Sequence, residues 1–212
     1  IVGEDGETHH GAFDMAALRP IPGITIASPL DEHELRNLMY TAQLPDRGPF
    51  VIRYPRGASE HPDWQSPMRE VPIGKARLLR EINAKDSGKP IAILTIGPIG
   101  NVAARAIDRT ANVSLRHYDM RFLKPIDESL LHDIADTCAH IITIEDGARN
   151  GGLGTAVAEY MAEHHHPITV TRLGLPDTFV THGTVTELRR LVGIDEDSIL
   201  AQIQAAATNT AD

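Results

Sequence analysis

The feature that most restricts this chain is a series of short aliphatic, β-branched runs that recur from Ile73 onward, with helical stretches between them. Strands are expected at Ala76 to Leu79, Ile91 to Ile96, Val113 to Tyr118, Ile141 to Ile144 and Ile168 to Leu173. Helices are expected at Asn101 to Arg109, Asp127 to Thr137, Gly154 to Glu163, Thr184 to Val192 and Asp195 to Ala207. Strands spaced by helices of about 10–15 residues imply βαβ crossovers and a mostly parallel sheet. The small, polar stretch from Ala205 to Asp212 is expected to fray.

The first 57 residues repeat the theme in shorter form. His10 to Leu18 reads as a helix ended by Pro20 and Pro22, because proline cannot continue one. Ile24 to Ala27 reads as a strand. Ser28-Pro29 with Asp31 and Glu32 opens a helix that carries Leu35, Leu38, Met39 and Ala42 at helical spacing. Gly48-Pro49 breaks it, and Phe50 to Tyr54 is a second strand. Residues 58–72 are polar and rich in glycine, serine and proline, which marks a linker. The expected organisation is α/β throughout: residues 1–57, a linker at 58–72, and residues 73–212.

Composition narrows the function. Among 212 residues, 42% are hydrophobic and 23% charged, as in ordinary globular chains. Twenty basic residues against 29 acidic ones give a net charge of −9, which repels nucleic-acid backbones but leaves room for a basic pocket that takes one phosphate. No run of 18 apolar residues exists, so no membrane partner is expected, and no signal peptide is visible. The single cysteine, Cys138, excludes an intramolecular disulfide and reads as a small buried hydrophobe, with a reducing compartment the default. Ile1-Val2-Gly3 reads like a strand end entering a loop, so the sequence is expected to begin inside a domain of a longer protein.

Three strings carry groups suited to chemistry. Asp5-Gly6-Glu7-Thr8-His9-His10-Gly11-Ala12-Phe13-Asp14 sets a carboxylate, a hydroxyl and two imidazoles beside glycines in a loop before a helix. A neutral imidazole near a carboxylate can shuttle protons. The same string also reads as a surface loop with Thr8 capping a helix and solvated histidines. A metal role for the two histidines lacks a third ligand at helical spacing. Arg53-Tyr54-Pro55-Arg56-Gly57 leaves a parallel strand at its carboxyl end, the edge where α/β folds bind ligands, and arginine suits phosphate. The alternative is a pair of surface salt bridges. Gly151-Gly152-Leu153-Gly154 follows a strand and precedes a helix, either as a phosphate turn or as small residues that permit tight packing.

Taken together, these strings resemble the 1-deoxy-D-xylulose-5-phosphate synthase family, a branch of the transketolases. The likeness extends through Asp119-Met120-Arg121-Phe122-x-Lys124-Pro125, Glu145-x-Gly147 before Gly151-Gly152, and Gly174-Leu175-Pro176-Asp177-x-Phe179 before His182-Gly183. It covers essentially the whole chain, with the motifs in order.

The resemblance implies a partial pyrimidine-binding, parallel-sheet domain over residues 1–57 and a complete transketolase C-terminal α/β domain over 73–212, the latter largely architectural. It implies decarboxylative condensation of pyruvate with D-glyceraldehyde 3-phosphate, giving 1-deoxy-D-xylulose 5-phosphate and CO₂. The cofactors it implies are thiamine diphosphate and Mg²⁺, held mainly by parts absent from this chain, so the chain alone is expected to be inactive. Motif by motif, His9 matches the active-site histidine beside the cofactor, Asp5 orients the same region, and Arg56 matches a ligand of the aldehyde's phosphate. The family's partner arginine lies a few residues before Asp5, at a position absent here. Arg53 reads either as structural or as a support behind the groups that touch substrate, and His10 stands where a glutamine is common. No metal ligand is assigned. A homodimer in the bacterial cytoplasm, or in the plastid stroma of a plant, is expected, together with the N-terminal part of the same protein. Competing readings are a stand-alone assembly or regulatory module without catalysis, or the separate subunit of a two-chain ketoacid dehydrogenase or transketolase.

Overall fold

The computed structural model describes residues 1–57, 65–85 and 88–209. Along the chain run α1 (Asp14–Leu18), β1 (Thr25–Ala27), α2 (Glu32–Ala42), β2 (Phe50–Ile52), β3 (Arg77–Ile82), β4 (Ile91–Ile96), α3 (Ile99–Asp108), β5 (Leu115–Asp119), β6 (Phe122–Lys124), α4 (Glu128–Thr137), β7 (His140–Ala148), α5 (Leu153–Glu163), β8 (Thr169–Leu175), α6 (Val185–Leu191) and α7 (Glu196–Asn209).

The larger sheet has the order β3-β5-β4-β7-β8. Its four inner and C-terminal strands pair in parallel. Only β3, at the edge, is antiparallel to its neighbour β5. Strand β4 is buried along its whole length, which is why its sequence reads as an unbroken apolar run. Its side chains alternate between two cores. Ile91 and Ile93 pack with Val102 and Ile107 of α3 and Ile199 and Ile203 of α7. Ala92, Leu94 and Ile96 pack with Ile134 of α4 and with Leu153 and Val157 of α5. Edge strand β3 instead carries Arg77, Arg80 and Glu81, charges that discourage a further strand from adding there.

The smaller sheet is where the chain's two parts meet. Strands β1 and β2 pair in parallel, and β6 adds antiparallel to the other side of β1. The open strand edge that residues 1–57 would present alone is thus covered by residues 122–124. Ala27, Leu38, Val71 and Phe122 form the core beneath. Beside it lies a network of buried charge. Glu34 Oε1 accepts from Arg77 Nη1 (3.2 Å) and Arg121 Nη2 (3.1 Å). Arg77 Nε also donates to Asp119 Oδ2 (3.1 Å), and its Nη2 lies 3.8 Å from Asp31.

Several expectations need correction. Helix α1 starts at Asp14 rather than His10, and Phe13 stands at its N-cap. Thr8 does not cap it; its Oγ1 shares a hydrogen bond with His9 Nδ1 (3.0 Å). Residues 58–64 of the expected linker lie outside the described residues. The rest docks on α2, where Val71 N donates to Thr41 Oγ1 and Arg69 N to Asn37 Oδ1, both at 2.8 Å. The C-terminal stretch expected to fray is helical through Asn209, with Ala206 buried, while residues 210–212 are not described.

Candidate active site

The site grows from the carboxyl ends of the parallel strands β2, β4 and β7. As β2 ends, Arg53 turns inward. Its guanidinium donates to the carbonyls of Gly11 (3.1 Å) and Asp146 and pairs with Asp14 (3.3 Å). Ser28 Oγ donates to the Arg53 carbonyl (2.8 Å). Arg53 thus ties the end of β2 to the end of β7 and to the loop before α1.

Three residues further on, Arg56 is exposed and pairs with Asp5. Two of the residues singled out in the sequence are therefore in contact. The loop that carries Asp5 is folded by its own backbone. Gly6 N donates to the Gly3 carbonyl, and the N–H groups of His9 and His10 both point to the Gly6 carbonyl. Gly3 and Gly6 have φ of +93° and +72°, conformations that glycine tolerates far better than other residues. His9 sits exposed on this loop, next to Thr8. His10 is held differently. Its Nδ1 accepts from Val2 N (3.0 Å), so its other nitrogen donates to the Thr181 carbonyl (3.2 Å).

Arg56 lines two adjoining cavities. The larger, of about 500 Å³, is bounded by Tyr54, Leu35, Pro98, Asn101 and Arg189, among others. The smaller, of about 100 Å³, includes Arg53, Asp14, Asp146 and again Arg189. Neither Asp146 nor Arg189 was marked as a ligand group by the sequence. Arg189 follows Leu188 on α6 and looks like ordinary basic compensation at a helix C-terminus.

The glycine string resolves against phosphate. The Glu145 carboxylate, fully buried, accepts from Leu153 N and Gly154 N, both at 2.9 Å. The chain's own anion thus occupies the amino end of α5. A Cβ on Gly152 would stand 1.9 Å from Glu145 Oε2. The glycines are there for close packing. Burial pushes the Glu145 carboxyl up to about 7, against the pull of those two N–H groups.

The described residues hold no group of three or more His, Cys, Asp and Glu side chains able to bind a metal ion. They do not fit Mg²⁺. No described helix is long and apolar enough to cross a membrane. Cys138 is buried, as expected of a small hydrophobe.

Comparison with known proteins places this architecture in a family. The transketolase C-terminal domain profile matches residues 80–199, and the transketolase pyrimidine binding domain matches residues 1–61. The chain belongs to the transketolase family. Its relatives include proteins named 1-deoxy-D-xylulose-5-phosphate synthase from Bacteroides thetaiotaomicron, 59% identical over 96% of this chain, and Bacteroides fragilis, 55% identical over 94%. The chain spans only about a third of those relatives' length, 31% and 30%. A solved structure titled split gene transketolase, inactive beta4 tetramer, superposes with a TM-score of 0.78 at 30% identity, covering 95% of this chain and 63% of that one.

Proposed function

We propose that this chain is the C-terminal part of a 1-deoxy-D-xylulose-5-phosphate synthase that condenses pyruvate with D-glyceraldehyde 3-phosphate and releases CO₂. The observation that carries the reading is Arg56, which stands on the cavity at the carboxyl end of β2, within a chain 59% identical to a relative of that name. Residues 1–57 act as the second half of the pyrimidine-binding domain, 58–72 as a connection and 73–212 as the C-terminal domain.

Arg56 presents a guanidinium fork to the aldehyde's phosphate dianion, geometry that arginine offers and lysine does not. Asp5 keeps that fork in place before substrate arrives, by the ion pair described above. His9 is anchored through Nδ1 by Thr8, which leaves Nε2 to hold or deliver a proton at a substrate oxygen. Thiamine diphosphate, bound with Mg²⁺ mainly by residues outside this chain, would supply the stabilised carbanion chemistry. A homodimer is part of the proposal.

A second reading is favoured by the split-gene transketolase likeness: the chain as the separate subunit of a two-chain transketolase. One assay separates the two. The complete gene product, with thiamine diphosphate and Mg²⁺, should release CO₂ from pyruvate and form 1-deoxy-D-xylulose 5-phosphate when the phosphorylated aldehyde is supplied. Two-carbon transfer from a ketose phosphate, without CO₂ release, would overturn the first reading. The 212-residue chain alone is expected to be inert. Turnover by it above background would contradict the placement of the cofactor-holding residues elsewhere.

A further inference from the structure

The large and small cavities share two cations, and the two come from distant parts of the chain. Arg56 follows β2, while Arg189 lies on α6 near the C-terminus. The remaining charges around them are largely engaged. Arg53 spends its donors on two carbonyls and Asp14. Asp31, which also lines the large cavity with Glu32, caps α2 through Glu34 N (2.8 Å) and faces Arg77.

Arg189 is less committed. Its Nη2 lies 3.5 Å from Asp146 Oδ2, a loose ion pair, and Asp146 already accepts from the Ile1 nitrogen at 2.7 Å through its other oxygen. Arg189 Nε is buried without a hydrogen-bond partner. A buried guanidinium N–H left unpaired is costly, and a ligand oxygen would satisfy it. Its neighbour Arg190 is exposed, so only one of the two adjacent arginines turns to the cavity. The helix is pinned in that rotation by buried Leu188 and by the Thr184–Glu187 capping box.

We propose that Arg189 is a second phosphate-binding residue of this site, so that the C-terminal part of the chain supplies one side of the anion clamp and Asp146 positions it. This rests on the reading of Arg56 given above. It gives the C-terminal domain a direct part in substrate selection, beyond the largely architectural role that the resemblance implies.

The test uses the complete gene product and compares D-glyceraldehyde 3-phosphate with unphosphorylated D-glyceraldehyde. Arg189→Met should raise KM for the phosphorylated aldehyde by roughly 10-fold or more, the scale of a lost charge-assisted hydrogen bond. It should leave KM for D-glyceraldehyde and for pyruvate within about twofold, because no phosphate is lost there. Arg189→Lys, which keeps stem and charge, should fall between wild type and Arg189→Met on the phosphorylated substrate only, and it carries the test if the Met variant does not fold. Equal impairment of both aldehydes by either variant would make Arg189 structural and sink the inference. So would an unchanged KM while Arg56→Ala raises it, which leaves the function itself standing. If neither Arg56→Ala nor the Arg189 variants discriminate between the aldehydes, the functional reading falls with the inference.

Discussion

Two clusters of arginine and carboxylate, one around α2 and one beside the cavities, use the same chemistry for different work. Around α2, Glu34 and Asp119 are 5% and 0% exposed; Arg77 pairs with both, and Arg121 pairs with Glu34. Around the cavities, Arg56 and Asp5 are 59% and 41% exposed, and their pairing is open to competition from solvent or ligand. Removing one member of a buried set strands a charge without water. Breaking an exposed pair costs about 1 kcal/mol or less in stability. The first cluster therefore holds residues 1–57 on the rest of the chain, and the second is available for binding. This division can be broken by variants that should separate stability from turnover.

The largest effect is expected at His9. In the complete gene product, His9→Ala should lower kcat by roughly 10²–10⁴-fold, the range for a general acid–base group, with the thermal midpoint barely moved because the side chain is exposed. Near-normal turnover in a folded variant would remove His9 from the site.

Arg77→Met should do the reverse. It leaves Asp119 and part of Glu34 without their cation and should destabilise the protein by about 3 kcal/mol, read from the denaturant midpoint. The KM values of the folded fraction should stay near wild type. A shift below about 1 kcal/mol would show that the network is not the fastening between the two parts.

The smallest effect is a pH dependence at the buried groups. The Glu145 carboxyl is raised by burial from 4.5 to about 7, so the folded protein keeps a proton that the unfolded chain has lost. Its contribution is fully present below about 4.5 and is lost as pH rises through about 7. Asp119, raised by burial from 3.8 to about 6, acts in the same direction. His117 acts oppositely. Burial lowers it from 6.5 to about 4, so its contribution is present above 6.5 and is lost as pH falls through about 4. Glu145→Gln should therefore flatten the decline between pH 5 and 7.5, and the wild-type-minus-variant difference in urea midpoint should shrink as pH rises. Parallel curves would show that Glu145 titrates normally.

How far these features could be read from sequence depends on how local their causes are. Strand β4 was legible end to end because burial on both faces leaves an unbroken apolar run. The starts of α2, α4 and α6 were legible because Asp31, Asp127 and Thr184 cap them within three residues. Strand β6 was not, since three residues carry no period and its partner β1 lies almost 100 positions away. The ionic network joins Glu34 to Arg121, 87 residues apart, and leaves no local mark. Arg189 was hidden in the same way, since a helix with two adjacent arginines does not say which one faces the cavity. The glycine string was legible as tight packing or as a phosphate turn, and only the position of Glu145 chooses between them.

The central claim is that Arg56, beyond the end of β2, binds the substrate's phosphate while the arginines paired with the buried carboxylates Glu34 and Asp119 hold the fold. The most direct measurement is the effect of Arg56→Ala on KM for D-glyceraldehyde 3-phosphate, set against KM for pyruvate and against the denaturant midpoint, in the complete gene product. The account predicts a loss of about 1.5–3 kcal/mol in use of the phosphorylated aldehyde, with little change in pyruvate KM or in stability. Equal losses for both substrates, or a midpoint that falls while KM holds, would place Arg56 in the scaffold and contradict it.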